Sequence, residues 1–125
     1  MRYLLDTHAL IWYFEDYTKL PAKIETLIDN PEVEIFVSAV SLWEIAIKIS
    51  IGKLNISYAN FHTKLKESGF GLLEIESNSF PTLLELPLIH RDPFDRLIIA
   101  ASMAQNLIII TSDENIQKYD IQWVW

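Results

Sequence analysis

Four acidic residues have the spacing in this sequence that is most suggestive of chemistry. Each follows a predicted buried strand or lies near the start of a predicted helix: Asp6, Glu44, Asp95 and Asp113. In an open parallel sheet such positions converge at the carboxyl edge, where ligands bind. Two like charges 4 Å apart repel by about 4 kcal/mol at an effective dielectric constant of 20, so a cluster of carboxylates needs raised pKa values or bound cations.

The chemistry of these side chains favours a hard divalent cation. The chain has no Cys and no pair of His residues at the spacing of zinc ligands, and ligand sets made only of oxygen suit Mg²⁺ or Mn²⁺. One or two such ions, about 3.5 to 4 Å apart, would activate a water molecule and stabilise the leaving oxygen of a phosphodiester. The sequence therefore predicts hydrolysis of phosphoryl bonds.

Each acid also fits an ordinary structural role, and for any one acid that role is the simpler explanation. Asp6 can cap the helix that follows it, and Ser41 with Glu44 has the spacing of a capping box. Asp92, which precedes a proline, and Ser112 also stand where helices are expected to begin. Helix caps have no need to meet, whereas the ligands of one cation do. The positions of the acids in space therefore decide between the two interpretations.

Hydrophobic periodicity predicts the elements that must position these acids. Short apolar runs alternate with longer stretches of helical spacing, which is typical of an α/β domain with a mostly parallel sheet. Strands are predicted at residues 3–6, 33–37, 72–75, 107–110 and 121–125, the last at an edge of the sheet. Helices are predicted at residues 7–14, 21–28, 41–51, 58–67, 77–84 and 93–104, with a short helix from residue 112 onward.

Length and composition restrict the class of protein. A chain of 125 residues predicts one domain over residues 1–125, and a hydrophobic fraction of 50% excludes disordered and collagen-like classes. The net charge of −7 argues against a broad cationic surface for nucleic acid. Asp6 interrupts the apolar start of the chain, and no window reaches the ~18 apolar residues of a membrane span. We therefore expect a cytoplasmic protein without a membrane partner.

Basic residues near the predicted acidic site are few. Four lysines in neighbouring segments are candidates for a local basic patch, although a solvated helix face is the simpler explanation: Lys48, Lys53, Lys64 and Lys66. His8 and His90 are candidates for proton transfer, but the sequence shows no partner for either.

Four segments of the chain carry a family resemblance. They are LLDTHAL at 4–10, SAVSLWEI at 38–45, HRDPFDRLIIA at 90–100 and TSD at 111–113. In this order and spacing they resemble the PIN-domain ribonucleases, and most closely the VapC-type toxins of bacterial toxin–antitoxin modules. The resemblance spans nearly the whole chain. It implies a three-layer α/β/α sandwich, an Mg²⁺-dependent endoribonuclease in which Mn²⁺ is able to replace Mg²⁺, a cognate antitoxin and a homodimer.

The resemblance also implies roles for particular residues. Asp6, Glu44 and Asp95 match the core acids that bind metal and catalyse the reaction, and Asp113 matches the fourth acid. Further residues are candidates for supporting these acids or contacting substrate: Thr7, Asp92, Arg96 and Ser112. Helix capping explains Thr7, Asp92 and Ser112 equally well. Arg96 can contact an RNA phosphate or pair with a neighbouring acid.

Three functions are compatible with the sequence. The first is an endoribonuclease that hydrolyses RNA with a metal-activated water molecule. The second is a catalytically inactive PIN-like module that binds a basic partner segment through its acidic cleft, which the net charge of −7 favours. The third, a phosphatase with Asp6 as its nucleophile, is weaker because no second aspartate follows two positions later. Metal-dependent cleavage of RNA by the purified protein separates the first function from the second.

Overall fold

Five parallel strands form one sheet in the computed structural model, which describes residues 1–125. The strands are β1 (Arg2–Leu5), β2 (Glu34–Ser38), β3 (Gly71–Leu73), β4 (Ile108–Ile110) and β5 (Trp123–Val124). They lie in the order β3-β2-β1-β4-β5, and each neighbouring pair is parallel. The structure thus confirms the predicted α/β class, and β5 is the predicted strand at an edge of the sheet.

Seven α-helices and one short 3₁₀ helix accompany the sheet. The α-helices are α1 (Thr7–Glu15), α2 (Ala22–Asp29), α3 (Ala39–Ser50), α4 (Tyr58–Ser68), α5 (Ser79–Glu85), α6 (Pro93–Gln105) and α7 (Glu114–Gln117), and the 3₁₀ helix is Tyr17–Lys19. All seven α-helices were predicted from periodicity, with ends that differ by a few residues. None of them has both the length and the apolar character that a membrane crossing requires.

Helices cover both faces of the sheet. Successive side chains of a strand point to opposite faces, and the fully buried pair Leu4 and Leu5 shows this at the centre of β1. Leu5 packs in a core cluster with Leu10 of α1 and Ile24 of α2. Leu4 packs in a second cluster with Ile98 of α6. The result is the expected three-layer α/β/α sandwich, in which both faces of the sheet are buried as parallel sheets require.

The strand order reverses beside β1. From β1 the chain moves outward through β2 to β3, then crosses to β4 on the other side of β1 and ends at β5. Ligands of open α/β sheets bind in the crevice outside the carboxyl ends of the strands at such a reversal. The backbone N–H of Asp6 donates to the carbonyl of Ile110 at 3.1 Å, so the ends of β1 and β4 are joined where this crevice lies.

Candidate active site

Asp6 stands directly after β1 and is only 2% exposed. Its Oδ1 accepts a hydrogen bond from the Ala9 N–H at 2.8 Å, which caps α1, and its Oδ2 accepts one from the Thr111 hydroxyl. Because Thr111 follows β4, the second bond links the ends of the two central strands. Burial raises the pKa of Asp6 to about 6, although both hydrogen bonds lower it. The capping role of Asp6 is confirmed, and its environment favours a proton or a cation on the carboxylate.

Glu44 projects from α3 into a buried position and is 4% exposed. Its Oε2 lies 2.8 Å from the Nζ of Lys48, one helical turn further along α3. Its Oε1 is buried and has no hydrogen-bond partner. Because a buried polar atom without a partner costs free energy, this oxygen calls for an explanation, and a missing ion is one of the few available.

The capping box predicted from Ser41 and Glu44 is wrong. The cap of α3 is Ser38, whose hydroxyl accepts a hydrogen bond from the Val40 N–H at 3.0 Å, so the helix begins at Ala39. Ser41 is instead buried within α3, where its hydroxyl accepts a hydrogen bond from the Thr7 hydroxyl at 2.9 Å. Thr7 therefore links α1 to α3 and contacts no carboxylate through this hydroxyl bond. Glu44 lies beyond the first turn and has no capping role.

Asp95 lies in the first turn of α6 and contacts His90, for which the sequence showed no partner. His90 Nε2 is 3.1 Å from Asp95 Oδ2, and His90 Nδ1 is 2.9 Å from the hydroxyl of Tyr119. Arg96 donates to the same hydroxyl and to the carbonyl of Pro87, both at 2.9 Å. Arg96 therefore anchors Tyr119 and forms an ion pair with neither neighbouring acid. Its predicted contact with RNA stays a prediction.

Electrostatic effects link the four acids in pairs. The pKa of Asp95 is raised to about 6, first by burial and then by the charges of Asp92, Asp113 and Glu44, while the hydrogen bond with His90 lowers it. The charge of Asp113 also raises the pKa of Asp6. Since such repulsion weakens with distance, the charges that act on Asp95 and Asp6 belong to nearby carboxylates. Asp95 thus lies within electrostatic range of Glu44 and Asp113, and Asp6 within range of Asp113.

Asp92 and Asp113 both cap helices. Asp92 Oδ1 accepts hydrogen bonds from the N–H groups of Phe94 and Asp95, at 2.9 and 3.1 Å. Asp113 Oδ1 accepts one from the Asn115 N–H at 2.8 Å. The cap of α7 is therefore Asp113, and the helix begins two residues later than predicted from Ser112. In both caps Oδ1 takes the helix bonds, which leaves Oδ2 for another partner.

The donor chemistry of this acidic cluster fits a hard divalent cation. The four side chains offer only carboxylate oxygens, and one of these oxygens, on Glu44, is buried without a partner. As the side chains stand, however, no three His, Asp or Glu groups are arranged to hold an ion. Lys48 occupies one oxygen of Glu44 and His90 contacts Asp95. A cation would relieve the mutual repulsion of the acids and would compete with Lys48 for Glu44.

An exposed tryptophan lies on the helix that carries Glu44. Trp43 is 55% exposed, and its ring meets that of Phe94 edge-on, with centroids 5.1 Å apart. Trp43 directly precedes Glu44 on α3, and Phe94 directly precedes Asp95 on α6. Trp43 therefore leaves an aromatic face available next to the acidic cluster.

The predicted basic patch is only partly available. Lys48 is paired with Glu44, and Lys64 pairs with Glu15 at 3.4 Å and with the carbonyl of Phe14 at 3.1 Å. Two of the four lysines are thus engaged by acids. The other two, Lys53 and Lys66, are exposed and form no ion pair.

Comparison with known proteins identifies the family. Residues 3–122 match the PIN domain, and the chain belongs to the PIN domain family. No curated protein matches the sequence. The resemblance inferred from the four sequence segments is thereby confirmed at the level of the family.

Solved structures share the fold at low sequence identity. VapBC2 from Rickettsia felis, bound to a DNA fragment from its promoter, has a chain that aligns with a TM-score of 0.75 and 18% identity over 99% of this chain and 98% of that one. DNA-bound VapBC from Salmonella typhimurium aligns with a TM-score of 0.74 and 14% identity over 99% and 97%. FitAcB from Neisseria gonorrhoeae aligns with a TM-score of 0.65 and 17% identity over 98% and 96%. At these identities the likeness establishes a common fold.

Proposed function

We propose that residues 1–125 act as one nuclease domain that cleaves RNA with the help of a divalent cation. In this proposal the protein is the toxin of a type II toxin–antitoxin pair. The observation that carries the proposal is the buried Glu44, one oxygen of which has no partner, near Asp95 at the strand reversal. Membership in the PIN domain family and the fold shared with VapBC structures support it. We propose Mg²⁺ as the cation, with Mn²⁺ able to replace it.

The proposed roles follow from the contacts of each acid. Asp6, Glu44, Asp95 and Asp113 would hold the cation, which when bound supplies positive charge to the phosphate and activates the attacking water. Thr111 holds Asp6 Oδ2, and the contact with His90 orients Asp95. Because the pKa of Asp6 and that of Asp95 are each raised to about 6, these carboxylates release their protons when a cation binds or when the pH rises above this value.

We propose a cognate antitoxin as the protein partner, with a basic tail that blocks the acidic cluster. The net charge of −7 and the pairing of Lys48 and Lys64 with acids favour a cationic partner segment. The shared fold with DNA-bound VapBC from Rickettsia felis and Salmonella typhimurium supports a partner of this kind. We also propose that the protein forms a homodimer and is located in the cytoplasm.

Cleavage of RNA by purified variants tests the function. Asp6→Asn and Asp95→Asn keep the size of each side chain, and asparagine at position 6 still accepts the capping bond from Ala9. We expect each change to reduce Mg²⁺-dependent cleavage by roughly 100-fold or more while the fold survives, because neutral amides are poor ligands for hard cations. Cleavage by both variants at the wild-type rate, after contaminating nuclease has been excluded, would show that the assignment is wrong.

A non-catalytic binding module is the second candidate function. It is favoured by the observation that no three acidic or histidine groups are arranged for an ion and that Lys48 and His90 already contact two of the acids. Such a module would bind a basic segment and would leave RNA intact with every cation tested. A phosphatase is disfavoured because Asp6 is 2% exposed and both of its oxygens accept hydrogen bonds.

A further inference from the structure

The ammonium of Lys48 lies against the carboxylate of Glu44. Its Nζ is 2.8 Å from Glu44 Oε2, closer than the nitrogens of the two other lysines that pair with acids, Lys19 at 3.7 Å and Lys64 at 3.4 Å. The side chain of Lys48 is 33% exposed, whereas that of Glu44 is 5% exposed. The ammonium therefore reaches from a partly solvated position to a carboxylate that is almost entirely removed from water.

The pair leaves Glu44 only half satisfied. Lys48 contacts Oε2, while the buried Oε1 has no partner. A buried ion pair offsets the cost of desolvation only when further hydrogen bonds satisfy the remaining oxygens. This pair lacks them, so stabilising the fold does not account for it well. Glu44 thus has one oxygen on an ammonium and one buried oxygen left for a further partner.

We propose that Lys48 acts through Glu44, because its ammonium competes with the divalent cation for the Glu44 carboxylate. This inference rests on the proposed function. Before the cation binds, the ammonium neutralises Glu44 and reduces its repulsion with Asp95. An ammonium on Oε2 weakens the binding of a divalent cation at Oε1, because the two positive charges repel across one buried carboxylate. The flexible lysine stem allows the ammonium to withdraw to solvent when the cation arrives.

The pair could instead be a fixed structural contact, and the two possibilities predict different measurements. If Lys48 stays on Glu44 while the cation is held by other acids, removal of its charge changes stability but leaves the affinity for Mn²⁺ as it was. If Lys48 must leave, removal of its charge makes the cation bind more tightly. Cation affinity, rather than stability or cleavage rate, therefore separates the two.

Isothermal titration of the full chain with Mn²⁺ tests the inference. We expect Lys48→Met, which keeps the length of the stem, to bind Mn²⁺ roughly tenfold more tightly than the wild type because a competing positive charge is gone. Lys48→Gln should show the same direction of change, and Lys48→Arg, which keeps the charge, should show no gain. The matched control is Lys64→Met, which removes equal charge from the pair with Glu15 and should leave Mn²⁺ affinity unchanged.

The outcomes separate this inference from the proposed function. If the wild type binds Mn²⁺ and folded Lys48→Met or Lys48→Gln binds it no more tightly, the inference is overturned while the proposed function stands. An equal gain in Lys64→Met would also overturn it, because the effect would then reflect net charge alone. If neither the wild type nor any variant binds Mn²⁺, both the inference and the metal-dependent function fail.

Discussion

Asp6 and Asp95 make the stability of this protein depend on pH. Burial disfavours their charged forms and raises the pKa of each from 3.8 to about 6. A group whose pKa is higher in the folded state contributes stability that is fully present below the unfolded pKa and is lost as the pH rises through the folded pKa. Without a divalent cation, these two carboxylates therefore weaken the fold progressively between about pH 4 and pH 6.

The variant Asp6→Asn isolates this contribution. Asparagine cannot ionise, so in a chelating buffer we expect the variant to gain stability relative to the wild type as the pH rises from 4 to 7. A pKa displaced by about two units corresponds to on the order of 2–3 kcal/mol for a fully buried group. Thermal unfolding of both proteins in EDTA across this pH range measures the difference. Parallel pH profiles for the two proteins would contradict the raised pKa of Asp6.

Tyr119 is a second residue whose role can be measured. Its hydroxyl contacts His90 Nδ1 and accepts a hydrogen bond from Arg96, both at 2.9 Å, and His90 in turn contacts Asp95. We expect Tyr119→Phe to lower kcat for RNA cleavage by roughly tenfold with little change in KM, because removal of such outer contacts misplaces the groups they orient. Tyr58→Phe, whose ring stacks on His62, is the matched control. An unchanged kcat would show that Tyr119 has no positioning role.

The acids could be predicted from the sequence, but their partners could not. Asp6, Asp95 and Asp113 follow strands or open helices, and this pattern is local and visible in the residue order. The contact between His90 and Tyr119 joins residues 29 positions apart, and the hydrogen bond from Thr111 to Asp6 joins residues 105 apart. Such pairs depend on tertiary packing, which hydrophobic periodicity does not encode.

Helices α3 and α6 position both the acids and an aromatic pair. They pack against each other, and Trp43 of the first meets Phe94 of the second while 55% of Trp43 stays exposed. Stacking of a base on an aromatic ring contributes about 1–3 kcal/mol and does not depend on sequence. The exposed ring of Trp43 therefore offers single-stranded RNA a stacking contact beside the acids.

Substitution of Trp43 tests this role. We expect Trp43→Ala to raise KM for single-stranded RNA by roughly tenfold while kcat changes little, because stacking strengthens binding without touching the reacting phosphate. Trp43→Leu retains an apolar contact for Phe94 and should raise KM similarly. Trp123→Ala, which removes an exposed tryptophan from the edge strand β5, is the control. An equal effect of the control, or no effect of either Trp43 variant, would contradict stacking at this position.

The predicted start of α3 was wrong, and the reason shows why the ends of helices are hard to predict from sequence. Ser38 and Ser41 are both reasonable caps, and only Ser41 has an acid three residues later. The strand β2 ends at Ser38, so the helix begins there and carries Ser41 into the interior, where Thr7 donates to it. The end of the preceding strand therefore decides the boundary of the helix, and that end depends on pairing with β1 and β3.

At the scale of the whole molecule, function depends on the order of the strands. Periodicity predicts five strands and their direction relative to the helices, but many orders are compatible with it. Because β1 lies beside β4 in this order, Asp6 is next to Thr111 and near Asp113. The family resemblance implied a three-layer sandwich, and the order of the strands comes from the structure.

The whole molecule should also respond to cations. A ligand that binds only the folded state stabilises it by RT ln(1 + [L]/Kd), which is about 2.7 kcal/mol at a concentration of 100 times Kd. For a chain of this length we expect Mg²⁺ or Mn²⁺ at that concentration to raise Tm by roughly 10 °C. Scanning calorimetry in EDTA and with added cation measures the rise.

Two controls distinguish a specific site from general screening of negative charge. NaCl at matched ionic strength reduces repulsion across a surface of net charge −7 without occupying a cation site, so it should give a smaller rise in Tm. Asp6→Asn should keep the response to NaCl and lose most of the response to Mn²⁺, because it lacks one charged ligand. If NaCl and Mn²⁺ raise the Tm of the wild type equally, the acids do not bind a cation specifically. The effect of Mn²⁺ would then be general screening of negative charge.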